Sequence, residues 1–479
     1  MLGQVVLQAS LAAGTPWVKM PLLTPEAAAA GISPGGEGGQ WPRGPVTVSR
    51  ANPDFLLLPI DVGGVYRSLD GGRHWNLAMA GWNARGANGF AIDPGNPDQV
   101  LGIGGNSMDW DAAWSRNSPN GLYRSTDRAG TWKQVMSFCP GTGGALAFDP
   151  TSYDSAKRGC TTAYFASCAL GLFRSDDGGT NWQAVIWGTP RRTRISHDGG
   201  ATWAFAKDAA GRDCEWKGAD VSFSDPKNRD LLFASQWRST HKGATWTPMD
   251  HCDGVFNLSS DGHLIGRKDK SLVTSTDGGA TWRTLVEVAG GFTDVACDER
   301  RGRYYFASEG RLKRWDNGEL TTLETPRDQY GNISVSTVAV DAQAPDIIYI
   351  GGAKNIYASH ATVCRSTDAG ATWENLTTGD GPHEVSWIRV HPVTREAWMN
   401  GQCYGNWRIA ALAKSAAAPL ESRHARPAPA LALVAALPPP ATGTAQTAIL
   451  GHWPCVGSDG VTIKPFTLTP GKSQNASCF

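Results

Sequence analysis

No sign of charge dominates this chain: 44 Lys and Arg stand against 44 Asp and Glu over 479 residues. That balance argues against a nucleic-acid partner, which would call for a basic stripe along the phosphate backbone. No apolar run reaches the ~18 residues of a membrane span, so no membrane partner is expected. The opening stretch MLGQVVLQASLAAG lacks a positive n-region and reads at best as a weak or trimmed signal peptide. Cys-x-x-Cys pairs are absent, which removes the usual zinc signatures, and the Gly-Gly pairs lie in turns rather than in a phosphate loop. No metal and no cofactor is expected. Charged residues are sparse, at 18%.

What the chain has instead is turn formers and tryptophan: 57 Gly, 29 Pro and 20 Trp. Such an excess of Trp suits repeated core plugs or flat surfaces on which sugar rings stack. Ten cysteines and sequons at Asn257, Asn332, Asn375 and Asn475 lean towards an oxidising, secreted setting. Cys139, Cys160, Cys168, Cys214 and Cys252 are expected in disulfides rather than as reactive thiols.

An internal repeat decides the architecture. The motif Ser-x-Asp-x-Gly-x-x-Trp is complete at Ser68 to Trp75, Ser175 to Trp182, Ser196 to Trp203, Ser275 to Trp282 and Ser366 to Trp373. Ser125 to Trp132 carries Ala129 at the glycine position, Ser239 to Trp246 carries His241 for the aspartate, and Trp315 to Gly318 is a remnant. Glycine and short polar residues allow a tight hairpin, Asp can accept from local amides, and Trp returns across the turn. These aspartates are therefore read as structural. Most boxes close a cassette of four short strands in units of about 40–50 residues, the signature of a propeller blade.

Units begin near Pro45, Asn88, Gly144, Asp220, Gly254, Thr293, Val335 and Val385. The expected fold is all-β: one propeller of seven boxed or remnant blades, with an eighth if Trp17 to Leu22 supplies the outer strand of the last unit. The box at Ser196 follows its predecessor too closely for a blade and reads as an extra hairpin. The propeller is expected over 37–410, preceded by the N-terminal segment 1–36. An Ala/Pro-rich linker follows over 411–448, then a short Cys-containing tail over 449–479.

The boxes resemble those of the Asp-box propellers, which include sialidases, the two-propeller xyloglucan hydrolases, certain uronate lyases and sortilin-type receptors. The first blade is most similar to the xyloglucan hydrolases: Gly35 to Gly39 reads Gly-Gly-Glu-Gly-Gly, and Ile60 to Arg67 resembles their T-D-[VI]-G-G-x-Y-R segment. The resemblance implies a catalytic carboxylate at Asp61. The chain departs from those enzymes in having length for only one propeller.

Topology narrows the search independently. Boxes join strands 3 and 4, so the 2–3 turns and blade-to-blade links share the opposite face, where longer loops can build a site. On that face lie Trp41, Arg43, Trp82, Arg85 and the segment 106–114 with Asp109, Trp110 and Trp114, followed by Trp216, Lys217, Tyr330 and His383. Asp220, Asp253 and Asp294, at the starts of innermost strands, are candidates for a partner acid. Three readings stay open. A glycoside hydrolase would use paired carboxylates. A polysaccharide lyase would pair cations with a His or Tyr base. A sortilin-like binding propeller would have no chemistry. In each polysaccharide reading the partner is an oligo- or polysaccharide, and the protein is expected to be a secreted monomer.

Overall fold

The computed structural model describes residues 17–22, 26, 29–31, 44–105, 119–137, 144–167, 170–188, 193–196, 202–217, 221–223, 230–258, 263–298, 300–328, 331–352, 362–376, 385–391, 393–401 and 405–412. Over these the chain is an eight-bladed β-propeller. Blade 1 illustrates the unit: Thr47–Val48, Leu56–Ile60, Gly64–Ser68 and Asn76–Leu77 pair antiparallel in sequence order from the centre outwards. Blades 2 to 7 repeat this order, with innermost strands Ala87–Ile92, Gly144–Phe148, Val221–Phe223, Gly254–Leu258, Asp294–Asp298 and Thr337–Val340.

Blade 8 settles the count. Its strands Val385–Val390, Ala397–Gly401 and Gly405–Ile409 are completed on the outside by Trp17–Lys19, with Trp17 opposite Ile409. The N-terminal strand thus closes the ring, as the unboxed last unit requires. Trp17 also donates its indole N–H to the Leu376 carbonyl of blade 7 at 3.0 Å.

The core lies between blades rather than within one. Each seam holds its own apolar cluster, from Phe55, Trp82, Phe90 and Trp132 between blades 1 and 2, round to Trp387 and Trp398 packed on Leu56, Tyr66 and Trp75 at the closure. The other six seams are filled in the same way. Strand alternation explains this: each inner strand offers one face to the preceding blade and one to the next, so most are buried along their whole length.

The boxes fold alike. Ser68 Oγ accepts from the Gly72 N–H at 2.8 Å and donates to Asp70, whose carboxylate accepts from the His74 N–H at 3.0 Å. The same pattern recurs at Ser175, Ser275 and Ser366. The two residues at the tip take positive φ in every box described, such as 71° and 81° at Gly71 and Gly72, which is why the motif favours Gly-Gly. Where Arg128–Ala129 or Ala369–Gly370 replaces that pair, the following Trp donates across the seam, Trp132 to Ala78 and Trp373 to Glu324.

Blade 3 is longer than the rest. Beyond Gln183–Gly188 it adds Thr193–Ile195 and Ala204–Phe205, so the sheet has six strands and the hairpin expected at Ser196 is its outer extension. The disulfide expectation needs correction: Cys160, Cys214 and Cys252 are buried free thiols. Cys160 lies against the Asp93 carboxylate, and burial pushes the Cys252 thiol up to about 12, so both are unreactive near neutral pH. Cys139 and Cys168 fall outside the described residues.

Candidate functional site

Register fixes the two faces. Ile60 pairs with Gly64, so the turn Asp61–Gly63 joins strands 2 and 3 of blade 1 on the face opposite the boxes. Asp61 is half-buried there, with Oδ1 withdrawn from solvent. The link from blade 1 to blade 2 runs beneath this turn. A Cβ at Gly86 would stand 1.4 Å from the Asp61 carbonyl oxygen and 2.9 Å from that of Gly105, so only glycine permits the three backbones to meet. Gly105 donates to the Gly86 carbonyl at 3.0 Å and opens the long 2–3 loop of blade 2. Asp61, the exposed Arg85 and the entry to the segment carrying Asp109, Trp110 and Trp114 are therefore brought to one place, although those last three residues lie outside the described ones.

Trp82 organises this corner from below. It is buried, which corrects its expectation as a substrate-contacting residue of the loop face. Its indole N–H donates to the Gly86 carbonyl at 3.2 Å and its ring stacks on Tyr123 at 4.3 Å. The Tyr123 hydroxyl in turn donates to the Pro119 carbonyl at the exit of the same loop. One buried ring thus supports both ends of the loop and the floor of the Asp61 turn.

Trp216 is likewise a core residue. It is buried between blades 3 and 4 and donates to the Ser167 carbonyl at 2.7 Å. Lys217, next in sequence, is placed on the loop face as expected, but it is held: its ammonium and that of Lys268 each lie 3.0 Å from Asp253 Oδ1. Partial burial pulls the Lys217 pKa down, but the charge and hydrogen bond of Asp253, together with the Asp269 charge, outweigh it and leave the group above the ordinary lysine value. Burial alone would raise Asp253, yet the Asp269 N–H and the two lysines hold it below the usual carboxylate range.

Asp294 is committed to structure. Its Oδ2 accepts from Thr337 Oγ1 at 2.7 Å, from the Val338 N–H at 3.1 Å and from Arg389 at 3.2 Å, tying the innermost strands of blades 6, 7 and 8. Three donors thus occupy this oxygen in contacts that join the blades, so its reading as the partner acid is not favoured. Trp41, Arg43, Asp220, Tyr330 and His383 lie outside the described residues. Among the described residues no group of His, Cys, Asp and Glu could hold a metal ion, and no helix is long and apolar enough to cross a membrane.

No family model matches the chain. A xyloglucanase from a Paenibacillus species is 25% identical over 396 residues, covering 76% of this chain and 34% of that protein. The chain resembles the xyloglucanases. It spans about a third of the length of that relative. The photosystem II assembly lipoprotein Ycf48 of a Nostoc species is 25% identical over 240 residues, covering 48% of this chain and 61% of that protein. Among solved structures, a xyloglucanase from Xanthomonas campestris has a TM-score of 0.46 at 19% identity, with 82% of this chain and 53% of that one covered.

Residues that sequence reasoning passed over are Lys268, Arg389 and Tyr123. Lys268 ends the second strand of blade 5, immediately before the 2–3 turn that corresponds to the Asp61 turn of blade 1. Applying the face rule to every blade would have found it.

Proposed function

We propose that the chain is a secreted glycoside hydrolase that cleaves a plant or microbial polysaccharide in a cleft on the loop face. One observation carries the reading: Asp61, in the segment most similar to the xyloglucan hydrolases, stands on the loop face at the meeting point of the first link and the long blade 2 loop. There it would either attack the anomeric carbon as nucleophile or, as base, activate the water that does so, while a second carboxylic acid protonates the leaving oxygen. Exposed Arg85 would order substrate hydroxyls beside it, and Trp110 or Trp114 would supply a stacking face. With Asp294 engaged by three donors, Asp220 is the partner acid to test first. Asn375, exposed on the outer strand of blade 7, could carry a glycan in a secreted protein.

The lyase reading is weakened by the pairing of Lys217 with Asp253, which leaves that cation less available to a uronate. A binding propeller without chemistry is the second reading, favoured by the same engagement of Asp294 and Lys217 in structural pairs. Incubation with a panel of plant polysaccharides separates the three. New reducing ends support hydrolysis, an absorbing unsaturated uronate supports elimination, and retention without product supports binding alone.

A further inference from the structure

The outer rim of blade 3 carries a row of side chains that the loop-face cleft does not use. Trp187 pairs with Arg194 and Arg194 with Phe205, across three adjacent strands of the six-stranded sheet. Directly opposed residues leave the same face of a sheet, so the three stand side by side. Their neighbours Ile186 and Ile195 point the other way and are buried towards blade 4. Blade 2, on the side of the row, has only four strands, so the extension reaches past its rim.

Trp187 and Phe205 are each 43% exposed, and Trp187 is the one tryptophan among the exposed large hydrophobics of the described residues. Both rings are held in position. The Arg194 guanidinium lies 4.9 Å from the Phe205 centroid, and Phe173 meets Trp187 edge-on at 6.0 Å. A surface so arranged is ordered before any ligand arrives, which lowers the entropy lost on binding.

We propose that this row is an accessory carbohydrate-binding platform for a linear, equatorially linked neutral polysaccharide. The inference rests on the reading of the chain as polysaccharide-active. The two aromatic rings stand two strands apart, about 9.5 Å, comparable to the length of two linked pyranose rings. Equatorial linkage leaves each sugar with a flat C–H face of partial positive charge, which suits the negative face of an aromatic ring. Arg194, between the rings, offers fixed N–H donors to the hydroxyls at the sugar edges. A wholly apolar partner would gain nothing from a guanidinium in the middle of the row. Lying on the rim of the ring, away from the channel mouth, the platform would tether a polymer without cleaving it.

Affinity electrophoresis of the full chain in native gels containing xyloglucan, mixed-linkage β-glucan or polygalacturonate tests the proposal. The wild type should be retarded by the neutral glucans. Joint Trp187→Ala and Phe205→Ala substitution should weaken that binding by tenfold or more, on the order expected for loss of aromatic anchors, and Arg194→Gln should weaken it several-fold. All three side chains are exposed, and near-UV circular dichroism checks that the variants fold. Turnover of short oligosaccharides should be unaffected by the double substitution. Retardation of the double variant equal to that of the wild type overturns the platform, as does a wild type that none of the gels retards. Retardation lost in the variant from a wild type that releases no reducing ends supports the platform and defeats the hydrolase reading alone.

Discussion

At the residue scale, the two kinds of aspartate in blade 1 should behave oppositely. Asp61→Asn is expected to fold normally and to lose several orders of magnitude in kcat. Asp70→Asn, in the box, should cost about 1 kcal/mol of stability through lost hydrogen bonds and leave turnover largely intact; thermal melts beside initial rates distinguish them. The box carboxylates also set an acid limit. Hydrogen bonds from the Thr281 hydroxyl and N–H hold Asp277 at about 2, and Asp70, although burial opposes it, is brought to about 2 by donors from His74 and Ser68. Because these folded-state values lie below the ordinary carboxylate value of 3.8, the stabilisation is present above pH 3.8 and is lost as pH falls towards 2. His391 adds an earlier window: burial lowers it to about 4 from 6.5, so stability declines as pH drops through that range and the unfolded chain takes up the proton first. The melting temperature should therefore begin to fall below about pH 6.5, and His391→Gln should remove that upper part of the decline. A melting profile flat down to pH 4 in the wild type contradicts this account.

At the scale of elements, closure and loop support make separable predictions. Trp17→Ala removes a buried ring and its bond to Leu376, and should destabilise the propeller by about 3–5 kcal/mol. Ending the chain after Leu412 should change melting by only a few degrees, because the ring closes through Trp17–Lys19 without the later residues. Trp82→Phe keeps the stack on Tyr123 but loses the N–H donated to Gly86, so kcat/KM should fall more than thermal stability does. Much at this scale was legible in the sequence. The boxes state their own hydrogen bonding, since Ser, Asp, Gly-Gly and Trp each perform the task their chemistry suggests. The surplus box at Ser196 was readable as an extra hairpin from its spacing, and the unboxed last unit pointed to the N-terminal strand. Side-chain direction was not legible. Trp82 and Trp216 sit in polar links, where an indole can face a ligand or fill a seam, and only the neighbouring blade decides between them. Asp294 looked available because its three donors come from residues 43 to 95 positions later in the chain. Cys160 looked oxidisable because its distant neighbour, Asp93, could not be inferred from spacing.

At the scale of the whole molecule, the ring divides its labour between faces. The box face is built largely from repeated hairpins whose polar groups serve one another. The loop face is uneven in sequence: blades 4, 5 and 6 turn tightly at Ser235, Asp269 and Glu309, while strands 2 and 3 of blade 2 are separated by residues 105–120, of which Gly105 stands near the Asp61 turn. The most direct test measures reducing ends released from xyloglucan and related plant polysaccharides by the wild type, Asp61→Asn and Asp70→Asn, each confirmed as folded. The account predicts product from the wild type and Asp70→Asn, and a loss of several orders of magnitude in Asp61→Asn. Equal release by Asp61→Asn, or no release by the wild type from any polysaccharide in the panel, would contradict it.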